Sequence, residues 1–326
     1  MLGVYVQPEM RRCVCFVCAN IGGQLTPVGT AFFLAVAKPP VQYVVVVTAL
    51  HVLANVQKQA ADGTNFVNSD DGKTFLRVNT KDGGFKVVEV TEDQWFKPDM
   101  SEEIVDIAFC PWQELPSASE FDFLSVGTDL AATKDVMESK QIGLGSELAF
   151  AGLFVNHHGR KRNEPIVRFG NISGIPAEPS PRESATSRHT WSSHGRWEAS
   201  VDHPFSWTSE YWIVDNVRQE RSGGNLVYLL GVVNAHFDVF VENATTGDRA
   251  LDEHVNKGIA VVTPIDKVLR VIERSRFGRL IVAASEAAKQ KFTEMDPTEL
   301  AQILAQGHTL KMELPVPDDD EAQEEG

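Results

Sequence analysis

Short apolar runs broken by turn residues fill the first 262 residues, and helical periodicity is nearly absent from them. This pattern limits the fold more than any single motif, because a run of about four to eight residues closed by Gly, Asp, Pro or Lys suits a strand and is too short for a helix. Strands are predicted over 12–19, 28–37, 42–49, 74–79, 85–90 and 104–110. After a polar connection over 127–140, a second series is predicted over 147–154, 166–173, 197–202, 211–215, 226–235 and 258–262. Six and then six predict an all-β chain of two packed six-stranded antiparallel β-barrels, one in residues 1–126 and one in 141–262. Between the second and third strands of the later series, Pro176, Pro179 and Pro181 open a loop with no regular pattern.

The pattern changes at Thr263. A threonine cap, Pro264 at the first helical position and Ile265, Val268, Leu269 and Ile272 at helical spacing predict a C-terminal helical extension over 263–312. Asp296-Pro297 repeats the start signal for a second helix that Gly307 ends. Seven of the last fourteen residues are Asp or Glu, so 313–326 reads as a disordered acidic tail.

A chain of 326 residues with 43% hydrophobic and 23% charged residues has apolar material for two cores. Its net charge of −15 argues against a nucleic-acid partner held by phosphate neutralisation, which needs clustered Lys and Arg. The N-terminus lacks a basic stretch leading into an apolar one, and no apolar run reaches the length of a membrane span. The expectation is a soluble cytoplasmic protein with neither a membrane nor a nucleic acid as partner.

The chemistry is concentrated in two segments. Val45-Val46-Val47-Thr48-Ala49-Leu50 ends on His51, and 55 residues later Asp106 stands between Val105 and Ile107-Ala108-Phe109. A buried strand thus delivers an imidazole to a rim, and a second offers a carboxylate flanked by apolar residues. Such a pair can be oriented for general-base work.

Together with Gly29-Thr30-Ala31-Phe32-Phe33, Leu229 through His236 and Gly258 through Pro264, these segments resemble the trypsin-like (chymotrypsin-fold) serine peptidases, intracellular bacterial type, over residues 10–275. The resemblance implies a serine endopeptidase that works through a Ser-His-Asp triad and an acyl-enzyme on a polypeptide substrate. It implies no cofactor and no metal. It also implies that Asn234-Ala235-His236 is the edge that pairs with substrate backbone, with His236 where the family has glycine.

Two serines compete as nucleophile, and they exclude each other. Ser222, followed by Gly223-Gly224, has the local chemistry, because glycines allow the sharp turn that exposes a hydroxyl. Ser209 has the topology: Tyr211–Val214 becomes the strand after the nucleophile, 215–224 a polar hairpin connection, and Leu226–Asn234 the returning strand, with Ser222-Gly223-Gly224 only a turn. On that alignment Glu210 and Tyr211 occupy positions where the family carries glycines, and Trp207 one where a glycine amide completes the oxyanion hole. The alternative reading is a catalytically inactive member that keeps the barrels as a peptide- or protein-binding module.

Cys13, Cys15, Cys18 and Cys110 read as small buried hydrophobes. In a regular strand Cys13 and Cys15 share one face and Cys18 takes the other, so one ion cannot easily be held by all three. Val52 after His51, where secreted relatives carry a disulfide cysteine, agrees with a reducing compartment. His157-His158 with Arg160-Lys161-Arg162 reads as a solvated hairpin tip.

Overall fold

The computed structural model describes residues 8–57, 69–98, 105–112, 120–154, 157–175, 197–201, 210–215, 227–241 and 253–294. β1 (Val14–Ile21), β2 (Gln24–Lys38), β3 (Val41–Thr48), β4 (Thr74–Asn79), β5 (Phe85–Val90), β6 (Ala108–Pro111) and the short β7 (Val126–Gly127) build the first sheet. Their order is β5-β4-β1-β2-β3-β6, with β7 parallel to β2. The predicted strands are all present, but the expected closed barrel is here an open sheet. Its two ends explain why. β6 has only four residues, and β5 carries Lys86 and Glu89, which pair with Glu120 and Lys73. Paired charges on an outer strand discourage further strand pairing.

β8 (Glu147–Gly152), β9 (Ile166–Gly174), β10 (Trp197–Val201), β11 (Glu210–Asp215), β12 (Val227–Val241) and β13 (Glu253–Pro264) form the second unit. Every neighbouring pair is antiparallel, and the order β10-β13-β12-β11-β8-β9 returns on itself through β9 and β10. Residues 127–140 hold more structure than a polar connection suggests. Ala131 bridges to Leu229, and α2 (Lys134–Lys140) starts at Thr133, whose Oγ1 accepts the Val136 N–H. Met137 is the only buried residue of α2, so its sequence has no apolar stripe to betray it.

β3 shows how strand alternation divides the core. Val46 points into the first sheet with Phe33, Leu76 and Trp112. Val45 and Val47, on the other face, belong to a cluster that also holds Ala149, Leu229 and Val232 of the second unit. A third cluster, including Phe150, Leu230 and Val262, fills the second unit.

α3 (Ile265–Arg274) and α4 (Arg276–Glu294) follow β13. The helix begins one residue later than predicted, and Pro264 is its cap. Thr263 is instead a buried strand residue paired with Val232. α4 falls within the predicted helical extension but was not foreseen as a separate helix: of its buried hydrophobic residues Phe277, Ile281, Ala284 and Ala288, two are alanines, and the stripe is faint beside the charges around it. Phe277 packs against Tyr43, Phe96 and Phe109, which docks the helices on the first sheet. The helix predicted from Asp296 and the acidic tail lie outside the described residues.

All four cysteines are buried and outside any disulfide. Cys13 and Cys15 do not share a face: Cys13 ends a 3-10 turn (Pro8–Cys13) before β1 starts, and the two thiols fall in different core clusters. Cys18 takes the face opposite Cys15, as strand alternation requires. Among the described residues, no helix is long and apolar enough to cross a membrane.

Candidate active site

β3 ends at Thr48, and after Ala49 the chain turns into α1 (Leu50–Gln57), so His51 stands in the first turn of a helix that the sequence did not announce. Leu50, Val52 and Leu53 continue the apolar run of β3 into the same core cluster, which hides the change of period. Thr48 fixes the corner: its Oγ1 donates to the Thr30 carbonyl at 2.9 Å, while Thr30 Oγ1 accepts the Leu153 N–H at 2.8 Å. The rim that presents His51 is thereby tied to the second unit.

Asp106 lies just before β6 in a tight turn closed by the Ile107 N–H donating to the Val105 carbonyl at 2.9 Å, between the buried side chains of Val105 and Ile107. These two join the cluster that contains Leu229 and Val232 of β12, so the carboxylate sits where the two units face each other. Asp106 is 4% exposed. Its Oδ1 accepts the backbone N–H of His51 at 2.8 Å, and its Oδ2 is 2.7 Å from His51 Nδ1. The first bond satisfies an amide that a helix start leaves without an intrahelical partner. The second orients the ring, because a carboxylate accepts and Nδ1 must then donate. The lone pair is left on Nε2, and the imidazole side chain keeps 28% exposure to reach a reacting group.

His51 and Asp106, 55 residues apart in the chain, are thus brought within hydrogen-bond distance. Ser209 and Ser222 both lie outside the described residues. Their neighbours are informative. Glu210, the residue after Ser209, opens β11 and pairs with Val233 of β12. Asp215 closes the same hairpin against Val227, and the 216–226 connection that contains Ser222 leaves from that far end. The predicted hairpin between the strand after Ser209 and the strand through Asn234 is thus present.

Asn234, Ala235 and His236 lie in β12. The pairing with β13 is irregular here: Val233 faces Val262 and Ala235 faces Val261, which leaves Asn234 at a bulge. Asn234 Nδ2 donates to Thr263 Oγ1 at 2.7 Å. β11 stops opposite Val233, so beyond that residue β12 has β13 as its one strand neighbour among the described residues. Among the described residues, no cluster of three or more His, Cys, Asp or Glu side chains is arranged to hold a metal ion.

Gly29 is a site residue whose role the sequence did not reveal. It lies in β2 directly under Val52, the residue after His51. Its place in the Gly29–Phe33 segment was visible, but a close approach to a helix could not be read without the helix.

No family model and no curated protein matches the chain. Solved structures with similar folds include Deg5, at 16% identity and a TM-score of 0.44, covering 80% of this chain and 88% of that one. The Rv3671c protease in an inactive form is 14% identical with a TM-score of 0.39, over 81% and 89% of the two chains. The Drosophila Grass clip serine protease of the Toll pathway is 12% identical with a TM-score of 0.41, over 83% and 70%. At these scores the similarities decide nothing about activity, which has to be argued from this chain's own residues.

Proposed function

We propose that this chain is a trypsin-like serine endopeptidase, with His51 as general base and acid, Asp106 as the group that orients it, and Ser209 as nucleophile. The two-oxygen grip of Asp106 on His51 carries the reading, since it fixes both the backbone and the ring of one histidine and directs Nε2 outward. In this mechanism Nε2 takes the serine proton as the hydroxyl attacks the peptide carbonyl, and returns it to the leaving amine. Asp106 keeps Nδ1 as the protonated nitrogen and stabilises the imidazolium. The acyl-enzyme is then hydrolysed by the same steps with water in place of serine.

Topology favours Ser209 over Ser222. One peptide bond joins Ser209 to Glu210 at the Val233 end of the hairpin, whereas the connection carrying Ser222 starts a strand length away, about 17 Å for six residues. Beyond Val233, β12 has β13 as its one strand neighbour among the described residues, which supports backbone pairing of a polypeptide substrate with Asn234-Ala235-His236. A buried set of cysteines outside any disulfide suits a reducing, cytoplasmic setting.

A second reading rests on Glu210 and Tyr211, whose backbone is already committed to pairing with Val233 and Val232. Strand residues there, in place of glycines, favour an inactive binding module that binds peptides along β12. A fluorophosphonate probe separates the two. The peptidase reading expects one labelled serine, lost in Ser209→Ala and in His51→Ala and kept in Ser222→Ala. No labelling, together with saturable binding of unstructured peptides, would establish the module instead.

A further inference from the structure

We infer that the chain carries a docking surface for an acidic peptide segment, and that its occupant is the chain's own acidic C-terminal run, Asp318–Glu325. The surface is built from two places far apart in sequence. The turn before β1 brings Arg11 and Arg12, and the β8–β9 connection brings Arg160, Lys161 and Arg162. They meet at Asp122, whose two oxygens pair with Arg12 at 2.7 Å and Arg162 at 3.2 Å. Between them opens a cavity of about 350 Å³ lined by Arg11, Arg12, Arg162, Asn79 and Asn163, with Glu9 and Glu164 on its wall.

Charge sets the sign of the partner. Arg11, Arg12 and Arg162 line the cavity with Glu9 and Glu164, Asp122 pairs with two of these arginines, and Arg160 and Lys161 directly precede Arg162 in the chain, so cations outnumber carboxylates locally in a molecule whose net charge is −15. Arg11, Arg160 and Lys161 are exposed and have no anionic partner among the described residues. Lys38, Lys73, Lys86 and Lys97 on the first unit are each paired with a glutamate.

The backbone beneath the cations is held in place before any partner arrives. Arg77 donates to the Gly159 carbonyl at 2.8 Å, and Asn79 and Asn163 exchange hydrogen bonds, so the β8–β9 connection is fastened to β4. A surface ordered in advance spends less free energy on binding.

The acidic run fits on charge and on reach. It carries Asp318, Asp319, Asp320, Glu321, Glu324 and Glu325, and residues 295–317 lie between the end of α4 at Glu294 and the start of the run. An extended chain of that length spans roughly 75 Å, which gives the run a long reach. An attached segment also needs little intrinsic affinity, because tethering gives it an effective concentration in the millimolar range, on the order of 1 mM.

The test uses the full chain with two introduced label sites, Gln323→Cys in the acidic run and Lys81→Cys two residues beyond Asn79. The four native cysteines are buried and do not compete for the dyes. Energy transfer between the dyes is expected to be high in low salt and to fall in 1 M salt, where the screening length drops to about 3 Å. It is expected to fall equally in low salt when Arg11→Glu, Arg160→Glu and Lys161→Glu are combined, with an unchanged circular dichroism spectrum. Arg276→Glu with Arg279→Glu, on α4, is expected to leave it high. Transfer that ignores the triple reversal, or that falls as far with the α4 reversal, overturns the proposal. So does low transfer in low salt with the patch intact.

Discussion

A β-carbon on Gly29 would stand 2.5 Å from Val52 Cγ1, so strand β2 and helix α1 are in contact through a position where only a hydrogen fits. Val52 is 4% exposed and belongs to the core that contains Leu50 and Leu53, so it has little room to retreat. Because Val52 follows His51, any push on it is passed to the imidazole.

Gly29→Ala is therefore expected to destabilise the fold by about 1–3 kcal/mol, the usual cost of overpacking, and to lengthen the His51–Asp106 bond. The Nδ1 proton resonance of His51 reads the second effect without any assay of activity. Val52→Ala added to Gly29→Ala should recover both. If the single variant leaves the His51 resonance and the melting temperature where they were, the contact does not position the histidine.

Asp106→Asn separates the two halves of the grip. The remaining oxygen still accepts the His51 backbone N–H, so α1 should keep its start, but the amide cannot accept from Nδ1 and the ring loses its tautomer. On the peptidase reading, kcat should drop by about four orders of magnitude, while the circular dichroism spectrum stays native. A fluorophosphonate labelling rate equal to that of the unaltered protein would show that Asp106 has only a structural part.

The strands were legible in the sequence because each is a short apolar run with a clear end, as with Val41–Thr48 and Tyr211–Val214. His51 and Asp106 were legible as a pair because both sit where such runs meet a polar residue. α3 was legible from Pro264 and the spacing of Ile265, Val268 and Ile272, but the other helices were not. α1 continues the apolar run of β3 without a break, α2 buries a single methionine, and half of the buried hydrophobic residues of α4 are alanine. That the first sheet stays open was also beyond reach, since it depends on the charges of β5 and the brevity of β6 and not on the alternation that defines strands.

Burial raises the thiols of Cys13 and Cys18 from an ordinary value of 9.0 to about 11 and about 12, and pushes Cys15 up as well. A thiol that keeps its proton in the folded state and loses it in the unfolded state favours folding fully below pH 9, and that contribution is lost as pH rises toward the folded value. The melting temperature should hold up to pH 9 and then fall through the window between 9.0 and about 12. The fall should be shallower in Cys18→Ala. None of the four should react with a thiol reagent at pH 8 without denaturant. A flat melting profile through that window, or a reactive thiol in the native protein, would contradict this account.

Asn79 and Asn163 fasten the two units. Asn163 donates its backbone N–H to Asn79 Oδ1 at 2.6 Å, Asn79 Nδ2 donates to the Asn163 carbonyl at 3.2 Å, and Asn163 Nδ2 donates to the Arg77 carbonyl at 2.5 Å. Both side chains are buried, so a missing partner cannot be replaced freely by solvent. Asn79→Ala strands a donor and an acceptor, each at a cost of about 1–3 kcal/mol. Asn79→Asp keeps the acceptor for the Asn163 N–H but sets a carboxylate oxygen against the Asn163 carbonyl at a buried site, so it too should lose stability while the N–H stays bonded. Hydrogen exchange at the Asn163 amide should accelerate in Asn79→Ala and stay slow in Asn79→Asp. Equal exchange in all three proteins would mean that the β8–β9 connection is held without Asn79, by Arg77 and the Arg162–Asp122 pair. The platform under Arg160, Lys161 and Arg162 would then depend on those two guanidinium groups.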